Sequence, residues 1–471
     1  LTTGKHTFLC NPFTDYDVVK STVDRSKLPE LGAPKSSKFP ELQREKLSNG
    51  LNIVLAKRKG VPTVVMRLML DAGYKTDHLA SPGTAALAMN LLDEGTKDLT
   101  SLEINEQLQL LGASISTFSN QDNSTVYMNT LKPSLDASID IFADVVLNPA
   151  FPAKEFDRLK TEQINSIKNE KSQPFPMALR VMNKLLYGDG HPYSNPYTGS
   201  GYESTVEKLT RDDILKFYNS WMKPNNATIV VTGDVEMSEL KSKLQKSLGK
   251  WKKGNVPEIT FSKPKTNTKN TLYLMDRPES QQSVIIAGHL TEKYGDVSEI
   301  ALEQMVNILG GAFTSRINMN LREDKHWSYG AGGFVMDAKA ERPFIVYGSV
   351  QTDKSAESVT EFKKEISEFI GSRPATQDEL DKVKTNQILK LPGQWETNSS
   401  VNSSVANLVR FSLPDDYYQK YDDNVRNLTI TDITKISKTV VKPDAVNWFM
   451  VGDRAKIASK LDELGFDNII E

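Results

Sequence analysis

The chain has 471 residues, 38% of them hydrophobic and 25% charged, with a formal net charge of −2. That length exceeds one ordinary core and suits two or three domains. So small a net charge argues against the basic stripe of a nucleic-acid-binding protein, no apolar run reaches the length of a membrane span, and a single cysteine, Cys10, excludes an internal disulfide or a cysteine-rich metal site.

The chain opens Leu1-Thr2-Thr3 with no initiator Met, as expected of a processed protein, so the missing signal peptide says little about compartment. Residues 1–45 are expected to form an extended connector, because Pro29, Pro34 and Pro40 alternate with Gly32, Ser36 and Ser37. Thr100 followed by Glu103 is a capping box for a helix running towards Leu111. Ile115 to Phe118 and Thr125 to Met128 read as neighbouring strands around Asn120-Gln121-Asp122-Asn123. Leu135, Ile139, Phe142 and Val146 recur at the spacing of one helix face. Thr228 to Val231 and Trp448 to Val451 are short β-rich runs, each closed by Gly-Asp. Residues 252–269, rich in Lys, Pro, Thr and Asn, form a second connector.

The chain is internally repeated. Leu209-Thr210-Arg211-Asp212-Asp213-Ile214, Lys223-Pro224 and Gly233-Asp234 return at an offset of 219 as Leu428-Thr429-Ile430-Thr431-Asp432-Ile433, Lys442-Pro443 and Gly452-Asp453. Asp157 to Ile164 likewise echoes Asp381 to Ile388 at an offset of 224. Two such matches in the same order predict two related domains, over residues 46–251 and 270–471. Helices in blocks beside mainly antiparallel strands give an α+β sandwich in each.

The segment Gly83-Thr84-Ala85-Ala86-Leu87-Ala88-Met89-Asn90-Leu91-Leu92-Asp93-Glu94-Gly95-Thr96 resembles the signature helix of the pitrilysin/insulinase/mitochondrial-processing-peptidase (inverzincin) family. Leu47 to Leu51, Asp71-Ala72-Gly73, His191-Pro192-Tyr193 and Leu274 to Pro278 extend the resemblance over most of the chain from about Glu41. In active members the frame carries H-x-x-E-H, two zinc-binding histidines and a glutamate general base. Here those places hold Ala86, Asn90 and, for the base, Met89, and the third ligand position falls at Ser166. A methyl group and a thioether cannot serve zinc as nitrogen or oxygen ligands, and an amide serves poorly. His6, His78, His191, His289 and His326 include no pair at the spacing of one helix face. The resemblance therefore implies a chain without zinc or any other cofactor of its own.

In the second domain Gly310-Gly311 to Arg316, then Leu321-Arg322-Glu323, then Trp327-Ser328-Tyr329-Gly330, resembles the family's arginine–tyrosine element. The resemblance implies that Arg322 and Tyr329, seven residues apart, reach into an active site. A tyrosine hydroxyl donates at neutral pH to the oxygen that gains charge as water attacks a peptide carbonyl, and an arginine holds a substrate carbonyl. Gly310 and Gly311 are candidates for close approach of a peptide backbone, and Arg316 for holding its helix in place. Neither Arg322 nor Tyr329 can make a nucleophile.

The expected function is thus the zinc-free half of a two-part metallopeptidase, inactive alone. Its expected partners are a zinc-bearing H-x-x-E-H homologue, as a separate subunit or a fused half, and a peptide substrate. Asn11 to Pro29 resembles the connector that follows the zinc-bearing half of tandem bacterial members, which implies a bacterial periplasm or envelope. The competing expectation is an inert scaffold resembling the core subunits of the respiratory bc1 complex. Such a scaffold has no physical reason to keep the Arg–Tyr pair.

Overall fold

A computed structural model describes residues 23–27, 38–264 and 270–470. The chain forms two units, Leu1–Lys35 and Ser36–Glu471. Of the first, residues 23–27 make a turn in which Ser26 N–H donates to Asp24 Oδ1 at 3.0 Å. Cys10, Pro29, Pro34 and most of the expected connector lie outside the described residues.

The second unit contains two six-stranded sheets. In the first half, β1 (Leu42–Lys46), β2 (Asn52–Lys57), β3 (Thr63–Leu70), β4 (Ser114–Ser119), β5 (Ser124–Leu131) and β6 (Ala227–Gly233) take the order β1-β2-β6-β3-β5-β4. In the second, β7 (Thr271–Asp276), β8 (Gln282–Thr291), β9 (Ser328–Val335), β10 (Arg342–Gln351), β11 (Asn447–Gly452) and β12 (Asn468–Ile470) take the order β12-β7-β11-β8-β10-β9. Most pairs are antiparallel, with β2–β6, β7–β11 and β7–β12 parallel. The connector expected over 1–45 therefore ends early: Leu42–Lys46 pairs with β2, from Leu42 opposite Ala56 to Lys46 opposite Asn52. Residues 252–264 form no helix or strand, and 265–269 lie outside the described residues.

The duplication extends to single hydrogen bonds. Thr210 and Thr429 each open a helix with a capping box closed by Asp213 and Asp432. Lys160 Nζ donates to the carbonyls of Glu207 and Leu209 at 2.7 and 2.9 Å. Its counterpart Lys384 donates to those of Arg426 and Leu428 at 2.5 and 2.9 Å. Each lysine ties its half's long helix, Ala153–Ser172 or Gln377–Gln394, to the entry of the capped helix.

Strand alternation divides each sheet into two apolar faces. Ile53, Leu55, Met66, Leu68, Val126 and Ile229 pack under the first half's own helices. The opposite face, with Val54, Ala56, Met69 and Val230, is covered by Val401, Val405 and Leu408 of helix Asn398–Phe411, which belongs to the second half. Reciprocally, Val284, Ile286, Ile345 and Phe449 of the second sheet are covered by Ala178, Met182 and Leu186 of helix Pro174–Tyr187 from the first. Each half thus closes the other's core, and each fully buried Val or Leu in the exchange stabilises it by roughly 1.5–3 kcal/mol. Asn402, wholly buried, donates to Val230 O at 3.1 Å and accepts from Arg67 Nε at 3.1 Å. His191-Pro192-Tyr193 is part of this seam, with His191 stacked on Tyr187 at 4.7 Å and Tyr193 buried.

Candidate functional site

Helix Thr84–Asn90 is short and is set in place from its N-terminus. Gly83 adopts φ 98°, a left-handed conformation, and a Cβ there would stand 2.8 Å from Gln163 Nε2 and 2.9 Å from Ser200 O. Asp77, buried, accepts the N–H groups of Gly83 and Ala85 at 2.7 and 2.9 Å. Burial pushes its carboxyl up to about 7, while those N–H groups and the helix N-terminus favour the charged form.

The helix and the long helix Ala153–Ser172 enclose a cleft of about 260 Å3 whose lining includes Ala86, Asn90, Glu162, Gln163 and Ser166. Three of the four positions singled out from the sequence therefore meet: Ala86 is half-buried, and Asn90 and Ser166 are exposed. The fourth, Met89, is 1% exposed and belongs to the hydrophobic core, and its carbonyl accepts the Thr117 hydroxyl at 2.6 Å. The sequence alone did not single out Glu162, Gln163, Tyr74, Thr198 or Ser200. Glu162 had a signal, lying four residues before Ser166 on one helix. Gln163 had none, because it is placed by its bonds to Gly83 O and Ser200 O at 3.0 and 2.8 Å. Tyr74 donates to Ser119 O at 2.6 Å, and burial pushes its hydroxyl up to about 12.

A methyl, an amide and a hydroxyl stand where a zinc site needs two imidazoles and a carboxylate. Among the described residues no group of three or more His, Cys, Asp or Glu side chains is arranged to hold a metal ion. The cleft's amide, hydroxyl and carboxylate side chains can accept and donate hydrogen bonds.

Arg322 and Tyr329 flank one turn in the second half. Arg322 lies in a π-helical segment, Met319–Asp324, and Gly310-Gly311 ends another, Asn307–Gly311. Segments of this kind are rare and concentrate at functional sites. His326, between the pair, adopts φ 58°, uncommon for a residue with a side chain. Arg322 is half-buried, its guanidinium 4.7 Å from the Phe313 ring centre and 3.2 Å from Glu323. Tyr329 stands on the edge strand β9 and is 88% exposed. Neither residue lines the Ala86 cleft, whose walls come from residues 74–200.

The glycine pair divides. Gly310 is buried, and the backbone that approaches it is the protein's own: a Cβ there would meet Gly333 N at 2.4 Å. Gly311 is exposed. Arg316 anchors its segment by paired bonds to Glu379 at 2.6 and 2.7 Å and by a bond to Pro374 O at 2.9 Å.

Comparisons with known proteins identify the family. Residues 52–187 match the family described as Insulinase (Peptidase family M16), and 208–387 match that described as Peptidase M16 inactive domain. An uncharacterized zinc protease of Rickettsia bellii is 23% identical over 72% of this chain and 80% of its own length. A "Non-peptidase homolog YmxG" of Helicobacter pylori is 21% identical over 84% of this chain and 90% of its own. Among solved structures, a peptidase M16 inactive domain from Pseudomonas fluorescens superposes with a TM-score of 0.82 at 21% identity, over 88% of this chain and 98% of that one. The periplasmic protease PqqL of Escherichia coli superposes with a TM-score of 0.72 at 14% identity, over 92% of this chain and 52% of that one. With both of its halves matched and the duplicated α+β fold shared, the chain belongs to the M16 (pitrilysin/insulinase) peptidase family.

Proposed function

We propose that this chain is the zinc-free half of an M16 metallopeptidase, supplying Arg322 and Tyr329 to the active site of a zinc-bearing homologue. The observation that carries this reading is a separation. The cleft at Ala86, Asn90 and Ser166 lacks the donors to activate water, while Tyr329 stands 88% exposed in the other half, away from that cleft.

In the assembled enzyme a zinc held by the partner's H-x-x-E-H histidines would supply the activated water. Tyr329 donates its hydroxyl hydrogen bond to the carbonyl oxygen under attack, a contribution worth about 10² to 10³ in rate for one preorganised donor. Arg322, steadied by Phe313 and Glu323, holds a neighbouring substrate carbonyl. Gly311 has no substrate-binding role in this reading: a Cβ there would stand 2.8 Å from Asn307 Oδ1, so its own segment fills the space. The likeness to PqqL, which this chain covers over 52% of that protein's length, supports both the half-enzyme reading and a periplasmic setting in a bacterium. The scaffold reading draws support from Arg322, whose contacts to Phe313 and Glu323 also suit a structural role. The exposed Tyr329 favours the peptidase half.

The test is isolation from the native source. An H-x-x-E-H homologue should accompany the chain, and the chain by itself should hold no stoichiometric zinc and cleave no peptide. One tightly held zinc per chain, or chelator-sensitive cleavage by the chain alone, would overturn the reading.

A further inference from the structure

The duplication gives the Ala86 cleft a counterpart in the second half. The first cleft lies between helix Thr84–Asn90, the end of edge strand β4 at Phe118 and Ser119, and the long helix Ala153–Ser172. The second lies between helix Glu299–Val306, the end of edge strand β9 at Phe334 and Val335, and the end of the long helix Gln377–Gln394, and measures about 350 Å3. Its lining is chemically different, being aromatic and acidic.

Three carboxylates face this cleft, Glu299, Glu303 and Asp337, with one guanidinium, Arg342. Arg342 is committed to Glu299 through two bonds, at 2.8 and 3.0 Å, and lies over the Tyr294 ring at 5.1 Å. Arg410, near Asp337, is committed to Asp122 at 2.7 Å and to the main-chain carbonyl of Asp337 at 2.8 Å. Lys390, the remaining cation near Glu303, is exposed. Glu303 accepts the Tyr421 hydroxyl, and Asp337 has Arg342 no nearer than 3.9 Å. Among the described residues Glu303 thus has no ion pair and Asp337 only the long one to Arg342; both stand exposed at the cleft, and the desolvation they do undergo raises both above the ordinary carboxylate range. Tyr417, Tyr418 and Trp395 stand around them, ring centres 5.1 and 5.9 Å apart in sequence. Trp395, 5% exposed, keeps its indole N–H without a hydrogen-bond partner.

A carboxylate in a cleft walled by aromatic rings attracts a cation, and the aromatic faces attract the same cation. An orphan indole donor calls for an acceptor such as a peptide carbonyl. We infer that the cleft bounded by Tyr294, Glu303, Asp337, Trp395, Tyr417 and Tyr418 binds a lysine or arginine side chain of a peptide, with the cation at Glu303 and Asp337 and a carbonyl of that peptide at Trp395. This inference stands independently of the role proposed for Tyr329.

The test is calorimetric titration of the full chain with Nα-acetyl-arginine amide, Nα-acetyl-lysine amide and the neutral Nα-acetyl-norleucine amide. The cationic amides should bind at least about tenfold more tightly than the neutral one, and Asp337→Asn or Glu303→Gln should each weaken them at least about tenfold. Agmatine, a guanidinium without the carbonyl, should bind more weakly than the arginine amide. Should Glu303→Gln fail to fold, as read by its thermal melt, Asp337→Asn decides alone, since its carboxylate is half exposed. Equal affinity for the norleucine amide, no measurable heat with either cationic amide, or unchanged affinity in Asp337→Asn would overturn the inference.

Discussion

Arg410 reaches from the second half into the first and meets Asp122, a wholly buried carboxylate, at 2.7 Å. Tyr193 donates to the same carboxylate from the first half. Removing one partner of such a pair leaves a buried charge, which costs about 3–5 kcal/mol. Arg410→Met should therefore lower stability by that order, and the double variant Arg410→Met with Asp122→Asn should recover a large part of it. Urea unfolding of the four members of the cycle measures this.

His289 predicts how stability falls in acid. It is buried; Nε2 accepts the Lys442 N–H at 3.2 Å and Nδ1 lies 3.2 Å from Leu290 O, an arrangement suited to the neutral ring. Burial lowers its pKa to about 4. The unfolded chain takes up a proton near pH 6.5 that the folded chain refuses until about pH 4. The stabilisation is therefore complete above roughly pH 6.5 and is lost as pH falls towards 4, amounting to roughly 3 kcal/mol. His289→Gln, which cannot titrate, should flatten the pH dependence of the urea midpoint between those limits.

Gly310→Ala would place a Cβ 2.4 Å from Gly333 N, against backbone that cannot swing aside. Overpacking of this kind costs about 1–3 kcal/mol, and the displaced strand is β9, which carries Tyr329. Gly330→Ala, where nothing lies within 4 Å, is the matched control and should leave the thermal melt unchanged.

Restoring donors should restore metal but not chemistry. Because Ala86, Asn90 and Ser166 line one cleft, the triple variant Ala86→His, Asn90→His and Ser166→Glu should retain about one zinc per chain by metal analysis. Met89 remains in the core and supplies no general base, so the variant should still cleave no peptide.

Much of this was legible in the chain itself. The Leu209 to Ile214 and Asp157 to Ile164 segments, with their echoes at Leu428 and Asp381, announced the duplication, since each rests on local spacing. The exchange of helices Pro174–Tyr187 and Asn398–Phe411 was not legible, because an amphipathic helix shows which face is apolar and not which sheet covers it. The site divided likewise. Ala86, Asn90 and Ser166 were found through a motif frame, and Met89 proved to be a core residue. The aromatic, acidic cleft gathers residues from Tyr294 to Tyr421 on five segments, and no spacing rule links them. The charge partners of Asp122 and Glu299 were hidden for the same reason.

The decisive comparison is peptide turnover by the zinc-bearing homologue mixed with this chain or with its Tyr329→Phe variant. Removing one hydroxyl from an exposed ring leaves the fold and the assembly intact, so loss of turnover reports on the transition state alone. A fall of roughly 10² at unchanged association is the expected result. Equal turnover by the two mixtures would contradict it and make this chain a scaffold.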